Sequence, residues 1–303
     1  MPEHEQNSRP SPIPRKPPWL RKRLPSGGAA AKTLAQIRGR RLHTICEEGC
    51  CPNQGECFSQ GVATFLILGN VCTRNCAFCA VGHGRPPAVD PEEPDRVALQ
   101  TAELGLSFVV VTSVTRDDLP DGGAGHFAAT TRAIKEACPG VGVEVLVPDF
   151  AGSQAALQTA LEAEPAVLAH NLETVPRLYS RVRPGADYSR SLELIRRARQ
   201  AAGGWVTKSG LMVGLGETTE EILEVLADLR QEGCQMITIG QYLAPSPAHH
   251  PVKEYVPPEA FSEYEEKARQ MGFAAVASGP FVRSSYLAEH FFNQVPQGPP
   301  DQA

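Results

Sequence analysis

From Ala63 onward, short apolar runs rich in β-branched residues alternate with longer stretches whose apolar positions recur every three or four residues. The runs predict strands at 63–68, 108–112, 142–147, 167–170, 207–213 and 236–240. The longer stretches predict helices at 94–104, 125–137, 153–163, 189–202 and 219–232. Strands this apolar are buried on both faces, and each crossover is long enough for a strand–helix–strand unit. The expected fold is α/β: a partial (β/α)6 TIM-like barrel over residues 63–280, with an extension at each end.

In such barrels the chemistry gathers at the C-terminal ends of the strands, and here those ends turn polar. The first strand runs into a cysteine-rich loop at 72–79, and the second ends Thr112-Ser113 before Arg116-Asp117-Asp118. The third ends near Glu144 and Asp149, and the fourth reads His170-Asn171-Leu172-Glu173-Thr174. The fifth, flanked by Lys208 and Ser209, enters Gly214-Leu-Gly-Glu-Thr218, and the sixth ends Gly240-Gln241-Tyr242. Each has a plain alternative. Gly214 and Gly216 suit close approach to an anionic ligand, or only a turn; Glu217 and Thr218 suit a first helical turn; Asn171 and Glu173 suit a cap; Lys208 suits a solvated position. Their shared place at the strand ends favours function.

The flanks read differently. Residues 1–35 are proline-rich with Arg and Lys interspersed, so an extended or disordered segment is expected. Glu3, Glu5 and the prolines set it apart from an Arg-rich targeting helix. If the segment docks on the domain, Trp19 is the apolar anchor expected to hold it. A helix is expected at 32–41, leading into an extension at 36–62 where Pro52 and Gly55 mark an irregular loop. Residues 281–303 carry Arg283-Ser-Ser-Tyr286 and a Gln/Pro-rich tail, which by composition is only a polar turn.

Composition narrows the function classes. Among the 303 residues, 42% are hydrophobic and 21% charged, as in ordinary globular chains, and a net charge of -5 argues against a nucleic-acid partner. No apolar run approaches the roughly twenty residues of a membrane helix, so no membrane partner is expected. The chain has nine cysteines. An odd number clustered in short motifs fits metal binding in a reducing compartment, and the cytoplasm is expected. Cys138 and Cys234 stand alone near helix ends and read as small buried residues.

The chemistry lies in the remaining cysteines. Cys72-Thr-Arg-Asn-Cys76-Ala-Phe-Cys79 places three thiolates at CxxxCxxC spacing, which suits an iron–sulfur cluster with one iron left open for a ligand. Structural zinc would need a fourth ligand, with only His83 close behind, and a disulfide between such close neighbours is strained. Upstream, Cys46, Cys51 and Cys57 form a second triad at CxxxxCxxxxxC spacing. Cys50 replaces Cys51 equally well on spacing, and a single zinc with a distant fourth ligand also satisfies it.

Together, a CxxxCxxC motif opening a β/α barrel, with Phe78 before its last cysteine, resembles the radical S-adenosylmethionine superfamily. The second triad, Arg116-Asp-Asp-Leu-Pro-Asp-Gly-Gly123, Lys208-Ser-Gly-Leu-Met-Val-Gly-Leu-Gly-Glu-Thr218 and Arg283-Ser-Ser-Tyr286 resemble the lipoyl synthase family, over about Pro17 to Ala288. That resemblance implies two 4Fe-4S clusters. Cys72, Cys76 and Cys79 would hold the one that chelates and reductively cleaves S-adenosylmethionine. Cys46, Cys51 and Cys57 would hold an auxiliary cluster completed by Ser285, with Ser284 as the alternative. Phe78, Thr112, Ser113, Asn171, Glu173 and Lys208 would contact S-adenosylmethionine. The implied reaction inserts two sulfurs from the auxiliary cluster at C6 and C8 of an octanoyl-lysine, using two S-adenosylmethionine molecules. The implied partners are an octanoylated lipoyl carrier protein (glycine-cleavage H protein or dehydrogenase E2 domain), an electron donor such as flavodoxin or ferredoxin, and an iron–sulfur carrier that rebuilds the cluster. A biotin synthase-like enzyme, which lacks the Arg-Ser-Ser-Tyr ending, and a non-catalytic iron–sulfur or zinc scaffold are the competing readings.

Overall fold

The computed structural model describes residues 15–22 and 28–296, so the expectations for 1–14, 23–27 and the tail from 297 lie outside the described residues. Its centre is an eight-stranded sheet whose strands lie side by side in chain order. They are β1 (His43–Thr44), β2 (Thr64–Ile67), β3 (Phe108–Ser113), β4 (Gly142–Leu146), β5 (Val167–Ala169), β6 (Val206–Val213), β7 (Met236–Gln241) and β8 (Ala275–Gly279). β1 is antiparallel to β2, and every other neighbouring pair is parallel. Val109, Val110 and Val111 are buried in succession, as are Val143, Glu144 and Val145, as strands covered on both faces require. The fold is a partial β/α barrel.

The crossover helices fall close to their expected places: Glu93–Leu104, Ala124–Ala137, Gln154–Leu161, Tyr188–Gln200 and Thr219–Gln231. Their local signals are plain. Thr218 and Glu221 form a reciprocal capping box at the start of Thr219–Gln231, and Gly105 ends Glu93–Leu104 in the left-handed conformation.

Several elements differ from expectation. A further helix, Pro258–Gln270, and β8 follow β7. β8 reads Ala-Val-Ala-Ser-Gly, too small and weakly apolar to signal a strand, and it is held by its register with β7. The cysteine segment at 46–57 is not irregular throughout: it contains short helices at Ile45–Glu48, capped by the Thr44 hydroxyl, and at Gln54–Ser59. Gly55 therefore sits inside a helix. Near the N-terminus Pro18–Leu20 forms a 3-10 turn, and its anchor is Leu20, 4% exposed, while Trp19 is 40% exposed. Cys234 is buried, but Cys138 is only half-buried at the end of its helix.

The sheet does not close, since β8 pairs only with β7 among the described residues. Residues after Gly279 run along this seam. Gly240 lets them approach, because a methyl group there would overlap the Val282 carbonyl oxygen. Ser285 then meets Thr64 of β2, and Phe292 of the final helix (Ala288–Phe292) stacks on Phe108 of β3 with centroids 5.3 Å apart. The Asn53 side-chain amide donates to the Phe281 carbonyl at 2.7 Å, tying the seam to the N-terminal extension.

Candidate active site

A cavity of about 540 Å³ opens at the C-terminal ends of the strands. Cys72, Cys76 and Cys79 border one part of it and Cys46 and Cys51 another, together with Arg283, Ser284 and Ser285 from the seam. Leu66, Leu146, Leu211 and Met212 supply apolar wall. No three His, Cys, Asp or Glu side chains among the described residues are arranged to hold a metal ion as they stand. The thiols are instead spread around a shared space.

The loop carrying Cys72, Cys76 and Cys79 is fastened on several sides. Arg74 donates to both oxygens of Asp117 at 2.8 Å and to Asp149 at 2.7 Å. Burial raises the Asp149 carboxyl, but the bond and charge of Arg74 prevail and hold it down at about 2. Thr73 N–H donates to the Thr115 carbonyl, and the Cys72 sulfur accepts backbone N–H groups of Arg74 at 3.4 Å and Thr115 at 3.3 Å. Such N–H···S bonds are one means by which proteins tune cluster potentials. From the far side His249 Nε2–H donates to the Cys79 carbonyl at 3.1 Å, and His250 N–H donates to the Ala77 carbonyl.

Burial pushes Cys79 up to about 12, and the charges of Cys76, Cys72 and Glu173 add to it; Cys76 is raised for the same first reason. In the second group, burial and the charges of Cys51 and Cys57 raise Cys46 to about 12, and burial followed by Cys51 raises Cys57 to about 11. Each triad is thus close enough for its thiolates to repel one another, and a cationic iron core offsets that repulsion. Cys51 takes part in this mutual effect on both partners. Cys50 is exposed at a positive φ of 51°.

Asn171 and Glu173 also border the cavity. Asn171 donates to Glu173 Oε1 at 3.0 Å and accepts from Ser284 Oγ at 3.1 Å. Burial raises the Glu173 carboxyl, opposed by Arg183, the Asn171 bond and Arg283. Glu173 holds a left-handed backbone (φ 67°) that a side chain rarely adopts, pinned by its own N–H to the Gly210 carbonyl and by Met212 N–H to its carbonyl. Thr112 borders the cavity but donates to the Leu146 carbonyl at 2.9 Å. The Ser113 hydroxyl is buried on the cavity wall without a partner among the described residues. Phe78 lines the wall as well.

Three sequence expectations need correction. Lys208 does not reach the cavity: it is 1% exposed, and its ammonium group lies 2.7 and 2.8 Å from the two oxygens of Glu144. β6 begins at Val206, so Lys208 stands near its start, deep in the barrel, and the cavity meets β6 from Gly210 onward. The Gly214–Gly216 turn is not an anion cradle either. The Glu217 carboxylate accepts the N–H groups of Gly214 and Leu215, consuming the donors a ligand would need.

His170 is the third. It packs inside, with Nδ1–H donating to the Val147 carbonyl at 2.8 Å and Nε2 facing the Ser191 hydroxyl at 3.0 Å. Burial, then the Arg183 charge, lowers it to about 4, so it is neutral and structural. Its folded pKa lies below the unfolded value of about 6.5, so the unfolded chain binds the extra proton and stability falls as pH drops from there toward about 4. Urea unfolding should show His170 costing roughly 1 kcal/mol between about pH 7.5 and about pH 5.5, a loss that His170→Gln should largely remove. Equal pH dependence in both proteins would contradict this role.

The radical S-adenosylmethionine superfamily pattern matches residues 66–229. A lipoyl synthase of Caldanaerobacter subterraneus subsp. tengcongensis is 57% identical over 275 residues, covering 91% of this chain and 96% of that one. One from Methylococcus capsulatus is 55% identical, covering 91% of this chain and 86% of its own. The chain belongs to the lipoyl synthase family. Among solved structures, Streptococcus suis SuiB bound to S-adenosylmethionine superposes with a TM-score of 0.56 at 12% identity, covering 74% of this chain and 52% of its own. HydG, a maturase of the [FeFe]-hydrogenase, gives 0.54 at 15%, covering 82% and 62%. At such low identity these two show the shared fold alone.

Lipoyl synthases use S-adenosylmethionine and 4Fe-4S clusters, and the donor set fits them. Two thiol triads in mutual repulsion, half-buried apart from the buried Cys46, suit cationic iron, and the unpartnered Ser113 hydroxyl suits a polar ligand in the space between. Thr64, which bonds Ser285 and borders the cavity with Cys46, was not singled out in the sequence, where a threonine opening a strand reads as an ordinary β-former.

Proposed function

We propose that Cys72, Cys76 and Cys79 hold the cluster that engages S-adenosylmethionine, and that Cys46, Cys51, Cys57 and Ser285 hold the auxiliary one. The enzyme is a lipoyl synthase, a sulfurtransferase that inserts two sulfur atoms at C6 and C8 of a protein-bound octanoyl-lysine. When bound, the two clusters supply the electron that cleaves S-adenosylmethionine and the sulfur that is inserted. The observation that carries the residue assignment is that Cys72, Cys76 and Cys79 border one cavity together with Cys46 and Cys51 of the second group. A short-lived radical made at one group can then meet a substrate placed against the other without crossing solvent.

The chain's own residues divide the work. Asn171, Glu173, Ser113 and Thr112 present polar groups to S-adenosylmethionine, with Phe78 packed at the motif's end. Glu173, half-buried and facing the charges of Arg183 and Arg283, is suited to accept hydrogen bonds from the cosubstrate. Leu66, Leu146, Leu211 and Met212 give an octanoyl chain an apolar wall and keep water from it. Ser285 is favoured over Ser284 because its hydroxyl lies on Thr64 beside Cys46, whereas Ser284 is tied to Asn171. Residues 36–62 act as the cluster-bearing extension, 63–280 as the barrel and 281–303 as the segment that brings Ser285.

The substrate is a lipoyl carrier. The glycine-cleavage H protein and a dehydrogenase E2 domain are the carriers proposed, with flavodoxin or ferredoxin as electron donor and an iron–sulfur carrier to rebuild the auxiliary site. No described helix is long and apolar enough to cross a membrane. The test is anaerobic incubation with reductant, S-adenosylmethionine and an octanoyl-lysyl carrier peptide, read by mass spectrometry. Two sulfurs added to the acyl chain is the expected result. Loaded protein, with about eight irons per chain, that adds none would overturn the reading.

A further inference from the structure

Thr64 opens β2, is 4% exposed and borders the cavity. Its hydroxyl donates to Ser285 Oγ at 2.8 Å. Cys46 borders the same part of the cavity, and against the burial that raises its thiol the Thr64 N–H and hydroxyl act to lower it. One strand residue therefore acts on the first thiol of the auxiliary triad and bonds the serine that closes it. We propose that Thr64 is a positioning residue, whose hydroxyl holds Ser285 Oγ beside Cys46 so that the serine stands as the fourth auxiliary ligand.

The need for such a post follows from where Ser285 sits. It lies on a turn between β8 and the final helix, with no ladder or helical bonds to fix it, and a serine side chain has three staggered positions available. Thr64 is the opposite: β-branched, restricted about χ1, and paired with Val110 across the sheet. The hydroxyl carries one proton, so while it is given to Ser285 the Cys46 sulfur keeps the Thr64 backbone N–H. An oxygen that binds iron has shed its own proton and gains from a donor pointed at it. Ser284 has no share in this arrangement, since its proton goes to Asn171.

The inference rests on Ser285 as ligand, and the test separates the two. Full-length protein is loaded anaerobically with both clusters and examined without substrate, by Mössbauer spectroscopy and by iron release to a ferrous chelator. Thr64→Val keeps the branched shape and removes the hydroxyl. It should broaden or remove the signal of the oxygen-bound iron and release its first iron roughly five- to tenfold faster. Thr64→Ser should restore both, and Ser285→Ala sets the limit of complete loss. A Thr64→Val protein with the parent's spectrum and release rate, beside an altered Ser285→Ala, overturns the proposal and leaves Ser285 as ligand. A Ser285→Ala protein that also matches the parent removes the serine reading and this proposal with it. If Thr64→Val does not fold, Thr64→Ala carries the same expectation, and a Thr64→Ser protein as labile as Ser285→Ala is decisive against it.

Discussion

Replacing Cys76 by alanine is expected to abolish S-adenosylmethionine cleavage and lipoyl formation, both to the detection limit, while about four irons stay on the chain. Cys76 is the middle thiol of a loop already fixed by Arg74, Thr73 and His249, so the loop itself should persist. Two thiolates cannot replace three, and the auxiliary triad stands on other elements, Ile45–Glu48 and Gln54–Ser59 with their connection. Half the iron should remain for that reason. Iron and sulfide assays with measurement of 5'-deoxyadenosine decide the matter. Cys138→Ala, at a helix end that does not border the cavity, is the control and should match the parent. Continued cleavage by Cys76→Ala would remove the motif from its assigned role.

The second large effect should split the two half-reactions. Ser285→Ala keeps all six triad cysteines and should cleave S-adenosylmethionine within about threefold of the parent, yet form lipoyl product at least about a hundredfold more slowly. Ser285 reaches the auxiliary triad through Thr64 but has no bond to the loop of Cys72, Cys76 and Cys79. Parallel assays of methionine and of sulfur-containing acyl product measure the split. Equal losses in both would mean that Ser285 acts through the fold. Ser284→Ala distinguishes the neighbouring hydroxyl, and a larger product loss there would reassign the ligand.

The strands were legible because bulky β-branched residues in a doubly covered sheet leave a plain pattern. β8 was not, because Ala275, Ala277 and Gly279 make a strand by register with β7 and not by bulk. Short motifs identified the thiols, whose spacing is local. Lys208 misled because its distance from the strand end depends on where β6 starts, and a lysine between Thr207 and Ser209 does not announce the Glu144 carboxylate 64 positions away. The Gly214 turn misled for a related reason: the Glu217 carboxylate that satisfies its amides looks in sequence like any first-turn acid. Trp19 drew attention by size, whereas burial went to Leu20. Thr64 was silent, since only the fold brings it to Ser285.

The seam between β8 and β2 also fixes an order in time. The Thr64–Ser285 bond joins positions 221 apart and the Asn53–Phe281 bond positions 228 apart, whereas Cys72, Cys76 and Cys79 lie within one short loop. On the ribosome, where earlier parts of a chain are available to fold first, the loop of Cys72 exists long before Ser285 has been added. The radical-generating site can take shape while the chain is still being made. On the ligand set proposed above, the sulfur-donating site stays one ligand short until synthesis has passed Ser285 and the seam has been drawn across the barrel. A chain halted before that point would carry the site that starts radical chemistry without the finished site that uses it.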